Sequence, residues 1–210
     1  MDGRDVWSKS TAVWKHTATE LSQLEDRIDP AAIASVTEAI KACTGKVITM
    51  GAGTSAAAAK KIAHTMSCIE RPALFLSPAD AVHGGLGVVQ PDDLVILISK
   101  GGNTRELVAL IPSLETKGCA TIAVSENAES ILAKRADQLL KVFVSGEPDQ
   151  FDMLATTSTA AVIAVFDAIA IVVMEATGFT REQFGVIHPG GAVGDRLLGT
   201  EQKKDKENKG

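Results

Sequence analysis

Cysteine is scarce in this chain. Cys43, Cys68 and Cys119 are the only three among 210 residues, and no two share a CxxC spacing. An odd, scattered set excludes a disulfide framework or a zinc ribbon. It reads as small core residues of a protein kept in a reducing compartment. Basic charge is short too: 21 Lys and Arg stand against 26 Asp and Glu, for a net charge of −5. That balance argues against a nucleic-acid partner, because backbone binding relies on clustered cations. The opening MDGRDVWSKS has no apolar h-region, so no secretory signal is expected. The longest apolar-rich run, Thr159 to Val173, is broken by Asp167 and is too short to span a bilayer. With 45% hydrophobic and 22% charged residues, a cytoplasmic globular protein without a membrane partner is expected.

The length fits one α/β domain with a sizeable core. Val6, Val13, Leu21, Leu24 and Ile28 recur at helical spacing, with Trp7 and Trp14 a heptad apart. Pro30 ends that helix and starts a second through Ile33, Val36 and Ile40 to about Cys43. Residues 1–45 are therefore expected as helices packing on or extending a domain of residues 46–198. Strands are expected at Val47–Met50, Ala73–Leu76, Leu94–Ile98, Thr121–Val124 and Leu139–Val144. Helices alternate with them at Ser55–Met66, Thr104–Lys117, Ser130–Lys134 and Leu154–Thr177, with a helical turn from Ser77-Pro78 towards His83. Continuous Val/Ile/Leu strands alternating with helices signal a parallel sheet buried on both faces. The fold class is α/β: a doubly wound, flavodoxin-like three-layer α/β/α sandwich. The charge-dense residues 199–210 alternate in sign without apolar anchors, and read as a disordered tail or an appendage.

In such folds ligands bind beyond the carboxyl ends of the strands. Two strand–helix junctions share one chemistry there: Gly51-Ala-Gly-Thr-Ser55 and Ser99-Lys-Gly-Gly-Asn-Thr104. Helix N-termini leave amides unpaired and carry positive dipole ends, so they favour an anion. Glycines let the backbone close on a ligand, hydroxyls add donors or cap the helix, and Lys100 adds a cation. Neither loop is a Walker loop, and neither has the GxGxxG spacing of a dinucleotide site. Two phosphate-like loops without a nucleotide signature suit a small phosphorylated ligand such as a sugar phosphate. Each loop alone also fits ordinary helix capping.

Four stretches together resemble a sugar isomerase (SIS) domain: Gly51–Ser55, Ile98–Thr104, Ala81-Val-His-Gly-Gly-Leu-Gly87 and His188-Pro-Gly-Gly-Ala-Val-Gly-Asp-Arg-Leu-Leu198. More narrowly they resemble its arabinose 5-phosphate isomerase branch, over about Lys46 to Leu198. The resemblance implies a five-stranded parallel sheet and a homotetramer with active sites shared between subunits. It implies a phosphosugar substrate and no cofactor. It also implies a phosphate cradle of Ser55, Ser99, Lys100, Gly101, Gly102 and Thr104, flanked by Gly53 and Thr54.

An aldose–ketose conversion moves a proton between C1 and C2 through an enediol, which calls for a carboxylate or imidazole. Of four histidines, His16 and His64 lie in helical patterns where surface or packing roles fit. His83 and His188 lie in glycine-rich loops, and by resemblance match the family's active-site histidines, His188 entering from a neighbouring subunit. Glu106 matches the family's site glutamate, though a first-turn carboxylate also offsets a helix dipole. Glu147 matches a second glutamate within one residue of register. Either Glu147 or His83 would carry the proton. The chain departs from the family pattern in places. Thr54 stands where the first loop carries Lys, and Lys100 is the candidate to supply that charge. Ser77 stands where a His often precedes the Pro, which argues against a regulatory metal site. Gly85 stands where Asp is expected. The paired CBS modules of longer relatives are not found after Leu198. Three readings follow: an arabinose 5-phosphate isomerase, an isomerase of another phosphosugar, and a non-catalytic phosphosugar sensor.

Overall fold

Aliphatic residues alternate between the two sides of each central strand, and this alternation builds the layers of the molecule. The computed structural model describes residues 1–189. Three helices come first, α1 (Gly3–Ser22), α2 (Leu24–Arg27) and α3 (Pro30–Ala42). There follow β1 (Val47–Gly51), α4 (Thr54–Ser67), β2 (Ala73–Phe75) and α5 (Pro78–Ala81). Next are β3 (Leu94–Ile98), α6 (Arg105–Val108), α7 (Ile111–Lys117), β4 (Ala120–Ser125), α8 (Ile131–Arg135) and β5 (Gln138–Lys141). The long α9 (Thr157–Ala176) and the short α10 (Arg181–Ile187) complete the described chain.

The five strands pair in the order β2-β1-β3-β4-β5, all parallel. From β3, Leu94, Ile96 and Ile98 point to one face and meet Ala59 and Ile62 of α4, Val36 and Ile40 of α3, and Phe166 and Ile169 of α9. Val95 and Leu97 point to the other, with Ala81, Leu107, Leu114 and Leu132 of α5 to α8. The expected three-layer α/β/α sandwich and five-stranded parallel sheet are therefore what the chain adopts. The winding reverses between β1 and β3, so the loops after those two strands open onto one crevice.

Several boundaries differ from expectation for physical reasons. The helix expected over 104–117 is two, because Pro112 at the start of α7 has no amide and crowds the carbonyl four residues back, at Val108. Strand β5 ends at Lys141 rather than Val144, because its neighbour β4 ends at Ser125, opposite Lys141. Helix α10 was not expected, although Thr180 and Gln183 form a reciprocal capping box. Of the three cysteines only Cys119 is buried, and all three are unbridged. Helix α9 runs 20 residues with a mean hydropathy of 2.1, longer than the apolar run read from sequence and enough by length to cross a bilayer. Here it packs on the sheet through Ala161, Val165, Phe166, Ile169 and Val173, while Asp167 pairs with Lys61 of α4. Of the N-terminal helices, α1 and α3 both lie against α9. Gly190 to Leu198, the remainder of the second histidine motif, and the charged tail of residues 199–210 lie outside the described residues.

Ile96 is fully buried at the centre of this sheet. Ile96→Ala is expected to cost about 2–5 kcal/mol of stability, by lost transfer energy and the cavity left, read as a lower urea midpoint at unchanged slope.

Candidate functional site

At the end of β1 the chain turns into α4 within two residues. A Cβ on Gly51 would lie 2.7 Å from the Ser55 carbonyl oxygen, so glycine is what lets the helix start this close to the strand. Gly53 is the N-cap with φ +56° and has no side chain to cap with. The amides of Thr54 and Ser55 are claimed by no acceptor among the described residues. They open α4, a 14-residue helix, as free donors at its positive end.

The loop after β3 closes on itself. The Ser99 hydroxyl lies 2.8 Å from that of Thr104 and accepts the Gly102 amide at 3.0 Å. Gly102 has φ +67°, and a Cβ there would sit 2.0 Å from Ser130 Oγ. Ser99, at 4% exposure, and buried Gly102 thus hold the loop's shape; their polar groups are spent within it. The Gly102 amide, expected at a phosphate, is here bonded to Ser99. Among the described residues the amides of Gly101, Asn103 and Thr104 carry no such bond and remain for a ligand.

Thr54, Ser55, Lys100, Ser125 and Ser158 share one pocket, walled by Ile98, Val142, Val144 and Val162. Behind Lys100 lies Glu147, whose side chain has no exposed surface. One carboxylate oxygen accepts from the amides of Thr156 at 3.0 Å and Thr157 at 2.8 Å and from the Thr156 hydroxyl at 3.2 Å. The other accepts from the Ser158 amide at 3.2 Å, the Ser158 hydroxyl, and Lys100 Nζ at 3.4 Å. Burial alone would raise its pKa. The Ser158 hydroxyl and the three amides outweigh burial and hold it below the ordinary carboxylate range. Glu147 therefore caps α9 and fixes Lys100, and its lone pairs are filled.

The remaining expected residues sit elsewhere. Gly53 and the exposed Glu106 line an adjoining depression with Lys60, Phe75 and Ser77, on the other side of the Gly51–Thr54 turn. His83 is exposed just after α5, next to Gly84 at φ +105°, and lines neither hollow. His188 stacks on Phe184 at 4.1 Å between ring centroids and donates from Nδ1 to the Phe184 carbonyl at 3.0 Å, and its Nε2 has no hydrogen-bond partner among the described residues. Its helix is tied by Gln183 to Glu70, beyond the far end of α4. Since α4 is about 20 Å long, His188 does not join the pocket of its own chain.

One acid escaped the sequence reading. Glu126 directly follows β4, and its amide donates to the Lys100 carbonyl at 3.0 Å. Burial raises its pKa; Lys100 opposes this, while the charges of Glu147 and Asp152 add to it. The rule that sites lie just past strand ends, applied to β4, would have found it. No group of three or more metal-ligating side chains occurs among the described residues.

Because Glu147 is depressed in the folded state, the unfolded chain takes up its proton first as pH falls. The stability it supplies is fully present above its unfolded value of about 4.3 and is lost as pH drops below that. Glu147→Gln is therefore expected to flatten the decline of Tm between pH 6 and pH 3, measured by circular dichroism.

The SIS domain family pattern matches residues 41–172. Arabinose 5-phosphate isomerase KdsD of Yersinia pestis is 42% identical over 161 residues, covering 77% of this chain and 49% of that protein. The chain spans about half the length of the curated relatives it matches. Among solved structures, a candidate sugar-phosphate isomerase of Listeria monocytogenes is 51% identical with a TM-score of 0.89, over 90% of this chain and 100% of that one. An Escherichia coli CFT073 protein solved with arabinose 5-phosphate is 33% identical with a TM-score of 0.86, over 90% and 100%.

Proposed function

The chain belongs to the SIS domain family, and on that premise we propose that it is an aldose–ketose isomerase interconverting D-ribulose 5-phosphate and D-arabinose 5-phosphate through an enediol. The observation that carries the reading is the convergence of unclaimed α4 amides and Lys100 on one pocket at the β1/β3 switch point. The names of its relatives, and the arabinose 5-phosphate bound to one of them, set the substrate class.

In this reading the phosphate rests on the Thr54 and Ser55 amides, the Ser55 and Thr104 hydroxyls, Gly101 and Lys100. The sugar extends across the Gly51–Thr54 turn towards Glu106. A base removes a proton from C1 of the ketose as the C2 carbonyl oxygen is protonated, giving the enediol; return of a proton to C2 as the C1 hydroxyl loses its own gives the aldose. The sequence offered Glu147 and His83 for that proton. With six donors on its carboxylate, Glu147 is the poorer base, so the proposal assigns the proton to His83 and the orientation of Lys100 to Glu147. His83 follows α5, whose Pro78 and Ala79 line the depression that holds Glu106, and this neighbourhood supports the assignment. Nε2 of His188 would enter the site of a second copy within a homotetramer, where it would assist ring opening. A cytoplasmic setting suits such a substrate, since a sugar phosphate is charged and stays where it is made.

The test follows ribulose 5-phosphate in deuterated water by NMR, beside a panel of other pentose and hexose phosphates. Deuterium uptake with appearance of arabinose 5-phosphate is expected. His83→Asn should lower kcat about 10²-fold or more, and Lys100→Ala should act mainly on KM. Exchange on another sugar alone would reassign the substrate, and saturable binding with no exchange on any sugar would make the protein a sensor rather than an enzyme.

A further inference from the structure

The family pattern begins at residue 41, after α1. Yet three side chains on one face of α1, at positions i, i+1 and i+4, reach the segment that carries Glu147. His16 Nε2 donates to the Gly146 carbonyl at 3.0 Å. The Thr17 hydroxyl lies 2.9 Å from that of Thr157, the residue whose amide donates to Glu147. Glu20 accepts the Ser145 amide at 2.7 Å and the Ser145 hydroxyl. Arg27 of α2 closes the arrangement, donating to Glu20 at 2.6 Å and lying 5.4 Å from the centre of the Phe143 ring.

The way α1 is attached separates this from ordinary packing. A helix held on a domain for stability alone buries an apolar stripe. The only buried residue of α1 is Glu20, at 4% exposure, while Val6, Trp7, Val13 and Trp14 are all exposed. A buried carboxylate is costly unless donors surround it. Burial pushes Glu20 up, and the bonds from Arg27 and from the Ser145 hydroxyl and amide bring its pKa down to about 2. Leu21 of α1, partly buried, touches the core, and the one fully buried anchor of the helix is an ionised group aimed at the residues just before Glu147. Both ends of Glu147's support are gripped, Ser145-Gly146 on one side and Thr157 on the other.

We propose that α1 is a working part of the active site, with Glu20 as the central positioning residue and His16 and Thr17 as its partners. They fix the backbone on either side of Glu147 and so hold the Lys100 ammonium in the phosphate pocket. The role in turnover rests on the isomerase reading; the mechanical clamp does not. In Glu20→Gln and Thr17→Val the segment loosens and Lys100 loses its fixed partner.

The experiment measures two things on the full chain. Amide hydrogen exchange of Glu147, Thr157 and Ser158 is expected to speed up about tenfold in both variants, with β3 amides unchanged. Steady-state kinetics with ribulose 5-phosphate should show KM up about tenfold with kcat within about threefold, the same direction as Lys100→Ala, because the clamp acts through Lys100. Thr17→Val removes one hydroxyl and keeps the fold if Glu20→Gln does not. Exchange that speeds up equally across the sheet would make Glu20 merely structural and overturn the proposal. So would unchanged exchange at the three amides, or local loosening with KM intact. If the wild-type chain turns over no sugar, the isomerase reading fails, and the exchange data still decide the clamp.

Discussion

A carboxylate with no exposed surface stays ionised only where hydrogen-bond donors replace the water it has lost, and Glu147 is placed where a helix supplies them. The first amides of α9 have no partners within the helix, and the chain between β5 and α9 turns so that Glu147 meets them. The positive end of the helix adds to the attraction. Lys100 then approaches from the loop after β3. One side chain thus fixes the start of α9, the loop that precedes it and the cation of the loop after β3. The hydrophobic layers would hold β3, β5 and α9 together without it, but they would not fix the relative placement of Lys100 and Ser158 at the pocket.

That arrangement separates two tasks that a site glutamate could combine. A base needs a free lone pair directed at substrate and a pKa near the working pH. Glu147 has neither, while its fully engaged oxygens make it a rigid mount. The imidazoles are the reverse case: His83 is exposed in a glycine-rich turn, and His188 has one nitrogen committed to a carbonyl and one left over. In the proposed isomerase the rigid Glu147 is the part that positions, and the imidazoles are the part that exchanges protons.

How much of this was legible beforehand depends on the range of each interaction. Continuous apolar runs showed the five strands, because a parallel sheet covered on both faces buries successive residues, and the glycine loops marked the switch point, because tight turns into helices need glycine at Gly51 and Gly53. Short-range signals were also present and passed over: Pro112 marks the break between α6 and α7, and Thr180 with Gln183 marks the start of α10. Long-range pairings left no such trace. His16 falls on a helical pattern and gives no sign that its partner is Gly146, 130 residues away. Ser99 reads as an open phosphate donor until Thr104 and Gly102 are seen to occupy its hydroxyl. The family resemblance pointed to Glu147, but the saturation of its carboxylate depends on Thr156 to Ser158 folding back over it, which no spacing rule expresses.

The placement of the pocket's cation follows from the same geometry. Thr54 puts no charge at the mouth of α4, and the ammonium comes across the switch point from Lys100. An ammonium paired with a carboxylate contributes a weaker net field than a free one, so it adds less to the capture of a dianion from a distance. More of the recognition then falls on the α4 amides, whose donors are fixed by backbone and need no reorganisation when phosphate arrives. Lys100 remains useful because it is half-exposed while Glu147 is not. Its ammonium can swing towards a phosphate and leave a carboxylate still satisfied by five other donors. The buried carboxylate can release its lysine to a ligand without becoming an unpaired charge.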